Sequence, residues 1–185
     1  MKITLLGDSI RQIGYGTKVP ALLGEEFEVY QPVENCRFSK YTLQSIRAWQ
    51  SDMEGSRIIH WNNGLWDVGN NWGDGPLTPI DEYVENMTRI AKVLLKKADK
   101  VIFATITPVR FDNPDTDNAL IKEYNDAIVP ILKDMGIIIN DLHSLVYPNI
   151  EEFILESDKI HLTDKGIDAC AKQVANIILE TAKTL

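Results

Sequence analysis

Residues 80–107 read IDEYVENMTRIAKVLLKKADKVIFATIT, and the hydrophobic period changes once along them. From Ile80 to Ala98 the apolar residues Ile80, Tyr83, Val84, Met87, Ile90, Ala91, Leu94 and Ala98 share one stripe, as in a helix with one buried face. Thr78 can cap this helix, Pro79 suits its first position, and Asp81 suits its positive end. From Lys100 to Thr107 the apolar residues become consecutive, which fits a strand covered on both faces. A helix that leads straight into such a strand is part of a parallel α/β unit.

The same alternation extends in both directions. Strands are predicted at Lys2–Leu6, Phe27–Gln31, Arg57–Asn62 and Ile137–Asn140. A helix is predicted from about Thr116 to Met135, with a kink or break at Pro130 and a stop at Gly136. A last helix starts near Thr163 and carries Ile167, Cys170, Val174, Ile177 and Ile178 inward. This order predicts a doubly wound parallel sheet of about five strands. The 185 residues, 44% hydrophobic and 25% charged, suit one globular domain spanning 1–185.

Nineteen Lys and Arg against 27 Asp and Glu leave a net charge of -8, which argues against nucleic acid and anionic membrane as partners. Residues 1–8 lack the apolar run of a signal peptide, and no stretch reaches membrane-span length. Cys36 and Cys170 read as free thiols. The expectation is a cytoplasmic protein.

Ligands of open α/β sheets bind beyond the carboxyl ends of the strands. Gly7-Asp8-Ser9 follows the first strand, Asn35-Cys36-Arg37-Phe38-Ser39 the second, and Asn62-Asn63-Gly64-Leu65-Trp66-Asp67 the third. Asp158-Lys159-Ile160-His161 precedes the last helix. Two irregular stretches, Asn63–Pro79 and Tyr147–Ile160, are long enough to be functional. Among the histidines, His60 reads as a core residue and His143 as a surface one. Asp158 lies three residues before His161, close enough to hold its Nδ1 and leave Nε2 for a nucleophile. Ser9, behind a glycine at a strand end, supplies a hydroxyl at the same edge. Together Ser9, His161 and Asp158 describe a nucleophile, a base and its orienting carboxylate. A serine at this place leaves Cys36 no nucleophilic role. No histidine pair has metal-ligand spacing and no Gly-rich phosphate cradle appears, so no metal or cofactor is expected.

Leu5-Leu6-Gly7-Asp8-Ser9 and Asp158-Lys159-Ile160-His161 resemble the first and last blocks of the SGNH (GDSL-type) hydrolases. That resemblance implies a flavodoxin-like three-layer α/β/α fold and ester hydrolysis, with Ser9 as nucleophile, His161 as general base and acid, and Asp158 orienting His161. The middle blocks depart from the family. Where it usually carries a glycine whose N–H feeds the oxyanion hole, spacing places Arg37. Where it carries Gly-x-Asn-Asp, alignment on Asn gives Asn62 and alignment on glycine gives Trp66, with Asn63 also open. Asn62 is preferred because it emerges at the strand end. The expected oxyanion donors are thus Ser9, Arg37 and Asn62.

Trp61, Trp66 and Trp72 cluster near amide side chains, so Trp66 and Trp72 are candidate substrate contacts. A sugar O-acetyl group is the leading substrate, and a small apolar acyl pocket is the other reading. Lysophospholipase or thioesterase-type acylhydrolysis, and a non-catalytic flavodoxin-like binding domain, are the alternatives.

Overall fold

The structure is a computed structural model describing residues 1–185. Five parallel strands form one sheet: β1 (Lys2–Leu6), β2 (Glu28–Tyr30), β3 (Ile58–Trp61), β4 (Lys100–Ala104) and β5 (Ile138–Asn140), in the order β2-β1-β3-β4-β5. The register pairs Leu6 with Trp61 and Trp61 with Phe103. β1, β3 and β4 are buried along almost their whole length because helices cover both faces. The helices are α1 (Val19–Leu23), α2 (Ser39–Trp49), α3 (Ile80–Leu94), α4 (Asn118–Asp134), α5 (Leu142–Val146), α6 (Ile150–Phe153) and α7 (Asp164–Ala182).

The chain steps from β1 to β2 in one direction and then crosses back over β1 to β3. Right-handed crossovers therefore place α1 on one face and α2, α3 and α4 on the other. The contacts agree: α2 packs on α3 and α3 on α4, while α7 packs on α1, β3 and β5. The result is a three-layer α/β/α sandwich around a core of 42 buried residues. No helix is long and apolar enough to cross a membrane.

Several boundaries differ from the sequence reading, each for a local reason. β4 stops at Ala104 rather than Thr107 because Asn125 of α4 takes over beyond the short β5. Its carboxamide accepts from Ile106 N–H and donates to the Ile106 carbonyl. α3 ends at Leu94 rather than Ala98, where Lys96 and Lys97 close tighter turns onto Val93 and Leu94. Thr78 does not cap α3; its side chain bonds Asp67 instead, and Pro79 sits at the cap position. α4 runs unbroken through Pro130, which lies on the exposed face. The ring removes one bond there and leaves the Asp126 carbonyl on the solvent side. The segment Tyr147–Ile160 is not irregular throughout, since it contains α6 and a bridge from Ile154 to Leu162.

Candidate active site

The order β2-β1-β3 puts the topological switch point at the carboxyl ends of β1 and β3, where such sheets hold their ligands. Ser9 lies there. Gly7 makes the approach possible, because a Cβ on it would stand 2.0 Å from Asn62 Oδ1. After it the chain turns at once into a helical segment over Ile10–Gly14, with Ser9 at its cap position. Asp8 fixes that turn, its Oδ1 accepting from Ile10 N–H at 2.9 Å and from Asn62 Nδ2 at 2.9 Å. The Ser9 N–H has no acceptor within the protein, which leaves it free to face a ligand.

A second loop meets Ser9 from the far end of the chain. Asp158 Oδ1 accepts the N–H groups of Ile160 (3.0 Å) and His161 (2.9 Å), and Lys159 between them adopts a left-handed φ of 65° to allow it. This turn is braced by Arg110 N–H on the Lys159 carbonyl and by Lys159 Nζ on Asp112 at 2.8 Å. Asp158 Oδ2 then lies 2.9 Å from His161 Nδ1, and His161 Nε2 lies 2.9 Å from Ser9 Oγ. Burial pushes the Asp158 carboxyl up, but the two backbone N–H groups and the imidazole outweigh it and hold the carboxyl below its ordinary range. An ionised Asp158 accepts, so Nδ1 carries the imidazole proton and Nε2 is the acceptor facing the Ser9 hydroxyl. That arrangement can take a proton from Ser9 and return it to a leaving group.

Ser9 and His161 open onto a cleft of about 470 Å³ whose walls include Asn35, Leu65, Trp66 and Ile160. Asp115 and Thr116 close one side, brought in by the Asp115 carbonyl accepting from Asn70 N–H. These two residues were missed in the sequence, although the loop after β4 obeys the same strand-end rule as the others. Trp66 lines the cleft, but Trp72 is 84% exposed and does not. Trp61 belongs to the core, where it packs on Phe103. His60 is fully buried beneath the site, its Nε2 accepting from Asn140 Nδ2, and burial lowers its pKa to about 3. His143 is half-buried and stacked on Tyr147 rather than free on the surface. Cys36 is buried, with Sγ accepting the Gly7 N–H and the thiol pushed up by burial.

Of the expected oxyanion donors, the Arg37 N–H is committed elsewhere and Asn62 gives an amide hydrogen to Asp8. The Arg37 N–H donates to Asn35 Oδ1 at 2.7 Å, closing a turn in which Arg37 has a φ of 52°. Its guanidinium lies over the Tyr41 ring. The Asn62 carboxamide points into the layer below Ser9, donating to Asp8 and accepting the Tyr15 hydroxyl at 2.6 Å. Asn63 bonds both neighbours, its Oδ1 accepting the Trp61 indole N–H and its Nδ2 donating to the Arg37 carbonyl.

Asp67 buttresses this region from behind. Its carboxylate accepts the Ser39 N–H and hydroxyl at the start of α2, and burial pushes its pKa from 3.8 to about 6. Between these values the folded protein holds a proton that the unfolded chain has lost, so stability falls as pH rises through that window. Asp67→Asn keeps an acceptor for Ser39 but does not ionise. Its stability relative to wild type is expected to rise by about 2 kcal/mol between about pH 4 and about pH 6.5, read by urea unfolding. A constant difference at the two pH values would show that Asp67 titrates normally.

No protein-family model matches the chain. It is 29% identical over 123 residues to the GDSL esterase/lipase CPRD49 of Arabidopsis thaliana, covering 58% of this chain and 48% of that protein. It is 24% identical over 164 residues to the GDSL esterase/lipase WDL1 of Oryza sativa subsp. japonica, covering 79% of this chain and 62% of that one. The chain thus spans less than two thirds of either relative's length. Among solved structures, the acetyl xylan esterase AlAXEase superposes with a TM-score of 0.81 at 20% identity, over 96% of this chain and 100% of that one. A lipase/acylhydrolase from Enterococcus faecalis superposes with a TM-score of 0.78 at 20% identity, over 96% and 94%.

Proposed function

We propose that the chain, similar to GDSL esterases/lipases, is a serine ester hydrolase that removes a short acyl group from a small or carbohydrate alcohol. The observation that carries this reading is the hydrogen-bonded line Asp158–His161–Ser9, 2.9 Å at each link, at the switch point of the sheet. Ser9 Oγ attacks the ester carbonyl as its proton passes to His161 Nε2. The imidazolium, stabilised by Asp158, then protonates the departing alcohol oxygen. Water, deprotonated by the same imidazole, releases the acid from the acyl-enzyme.

The cleft supports a compact substrate with a polar alcohol part. Leu65, Trp66 and Ile160 offer apolar surface, and Asn71, Asp115 and Thr116 offer hydrogen-bonding groups beside it. An indole face next to amide and carboxylate groups suits a sugar ring, and two neighbours by fold are named as acetyl xylan esterases.

Purified protein is expected to hydrolyse p-nitrophenyl acetate and acetylated xylo-oligosaccharides with kcat/KM at least about tenfold above that for p-nitrophenyl palmitate. Serine chemistry draws on no metal, so EDTA is expected to leave these rates unchanged. A preference for the palmitate ester would move the assignment to a lipase-type substrate. Loss of activity on chelation, restored by zinc or manganese, would overturn the serine mechanism.

A further inference from the structure

We propose that the side-chain amide of Asn35 supplies an oxyanion-hole donor for Ser9, an assignment that rests on the ester-hydrolase reading above. An acyl-transfer transition state concentrates negative charge on the former carbonyl oxygen, and donors fixed in advance at that point carry much of the rate. The free Ser9 N–H supplies one. Arg37 N–H, Asn62 Nδ2 and Asn63 Nδ2 all donate to other groups of the protein. The side-chain donors on the cleft wall with no acceptor of their own are Asn35 Nδ2, Asn71 Nδ2, the Thr116 hydroxyl and the Trp66 indole N–H.

Among these, Asn35 is the one whose flanking residues are tied to the turn that carries Ser9. Its Oδ1 is tied to the Arg37 N–H at 2.7 Å, which fixes the carboxamide's orientation and leaves both Nδ2 hydrogens unspent. Its flanking residues are bonded directly to the turn that carries Ser9. On one side, the Glu34 carbonyl accepts from Arg11 Nη2 at 2.8 Å, and the same nitrogen donates to the Gly7 carbonyl at 3.0 Å. On the other, Cys36 N–H donates to the Gly7 carbonyl at 3.1 Å, and Gly7 N–H donates to Cys36 Sγ at 3.2 Å. Asn35 is thus stapled on both sides to the residue two positions before the nucleophile. Trp66 sits on the long loop after β3 and is 39% exposed.

In the reaction, the bond from Ser9 Oγ to the carbonyl carbon forms as the Ser9 proton moves to His161 Nε2. The carbonyl oxygen becomes the oxyanion and accepts the N–H groups of Ser9 and Asn35. On collapse the carbon–alcohol oxygen bond breaks, and the alcohol leaves with the proton from His161.

The test compares Asn35→Ala, Asn35→Asp and Trp66→Phe on p-nitrophenyl acetate, with Ser9→Ala as control. Asp keeps the acceptor for Arg37 while removing the donor and adding a negative charge, and Ala removes the donor without adding charge. Both Asn35 variants are expected to lose kcat by about 10²–10³, with KM within about threefold of wild type and unchanged circular dichroism. An Asn35→Asp enzyme with wild-type kcat would overturn the proposal, whatever Ala does, since the residue would then act only by closing its turn. A large kcat loss in Trp66→Phe with Asn35→Asp near wild type would give the role to the indole. If Ser9→Ala is as active as wild type, the ester-hydrolase reading itself falls, and this assignment with it.

Discussion

Ser9→Ala is expected to lower kcat on p-nitrophenyl acetate by a factor of about 10³–10⁶, and His161→Ala by a similar factor, with the fold intact. The size follows from what each removes: without the hydroxyl there is no acyl-enzyme, and without the imidazole there is no acceptor for its proton. In free energy this is about 4–8 kcal/mol of lost transition-state stabilisation. The fold survives because neither side chain holds the backbone. Ser9 Oγ bonds only His161, while the turn around it is fixed by Asp8 and Arg11. The structural bonds of His161 run through its main chain, with its N–H on Asp158 and its carbonyl accepting from Leu155. The double variant should therefore be no slower than the worse single one, since the two groups act as a unit. Asp158→Asn can retain the acceptor for Ile160 and His161 N–H but turns an N–H toward Nδ1, favouring the wrong imidazole tautomer. Its kcat is expected to fall by about 10⁴. Thermal unfolding of each variant checks the premise: a collapsed transition in Ser9→Ala or His161→Ala would mean that these side chains cap structure rather than perform chemistry.

The sheet was legible because its signal is local. Val101-Ile102-Phe103-Ala104 and Ile3-Thr4-Leu5-Leu6 are buried on both faces, and continuous apolar runs between helical periods leave few alternatives. The pairing of Asp158 with His161 was legible for the same reason, as a three-residue turn whose geometry depends on little beyond itself. What failed were statements about side-chain direction. Position relative to β3 led to Asn62, yet the buried Tyr15 hydroxyl and Asp8 decide where its carboxamide points. Those partners are 47 and 54 residues away in the chain. Arg37 was placed by spacing, and its left-handed φ of 52° suits a position where the family carries glycine. Its N–H is nonetheless captured by the nearby Asn35 side chain. Trp72 looked equivalent to Trp66 by composition, and only the path of the loop separates them.

Arg11, the second residue of the helical segment after Ser9, is 1% exposed, and nothing in its sequence neighbourhood marks an arginine for burial. Its Nη1 donates to the Pro32 carbonyl at 2.7 Å, and Nη2 to the carbonyls of Gly7 and Glu34. One guanidinium thus binds the turn after β1 to the loop after β2, the two segments that flank Ser9 and Asn35. Arg11→Met fills part of the space but leaves three carbonyls without this donor and Asp8 without its nearby cation. Removing one member of such a buried network is expected to cost about 3–5 kcal/mol, seen as a lower urea midpoint with the m-value preserved. Arg11→Lys should recover little of it, because a single ammonium on a flexible stem does not reproduce the fork that reaches both loops at once. Kinetics should separate this role from general destabilisation. At a temperature where the Met variant is still folded, kcat should drop with KM little changed, since a loosened loop misplaces donors used mainly in the transition state. A Lys variant as stable and as fast as wild type would mean that the charge alone matters there, and that the fork does not hold the two loops in register.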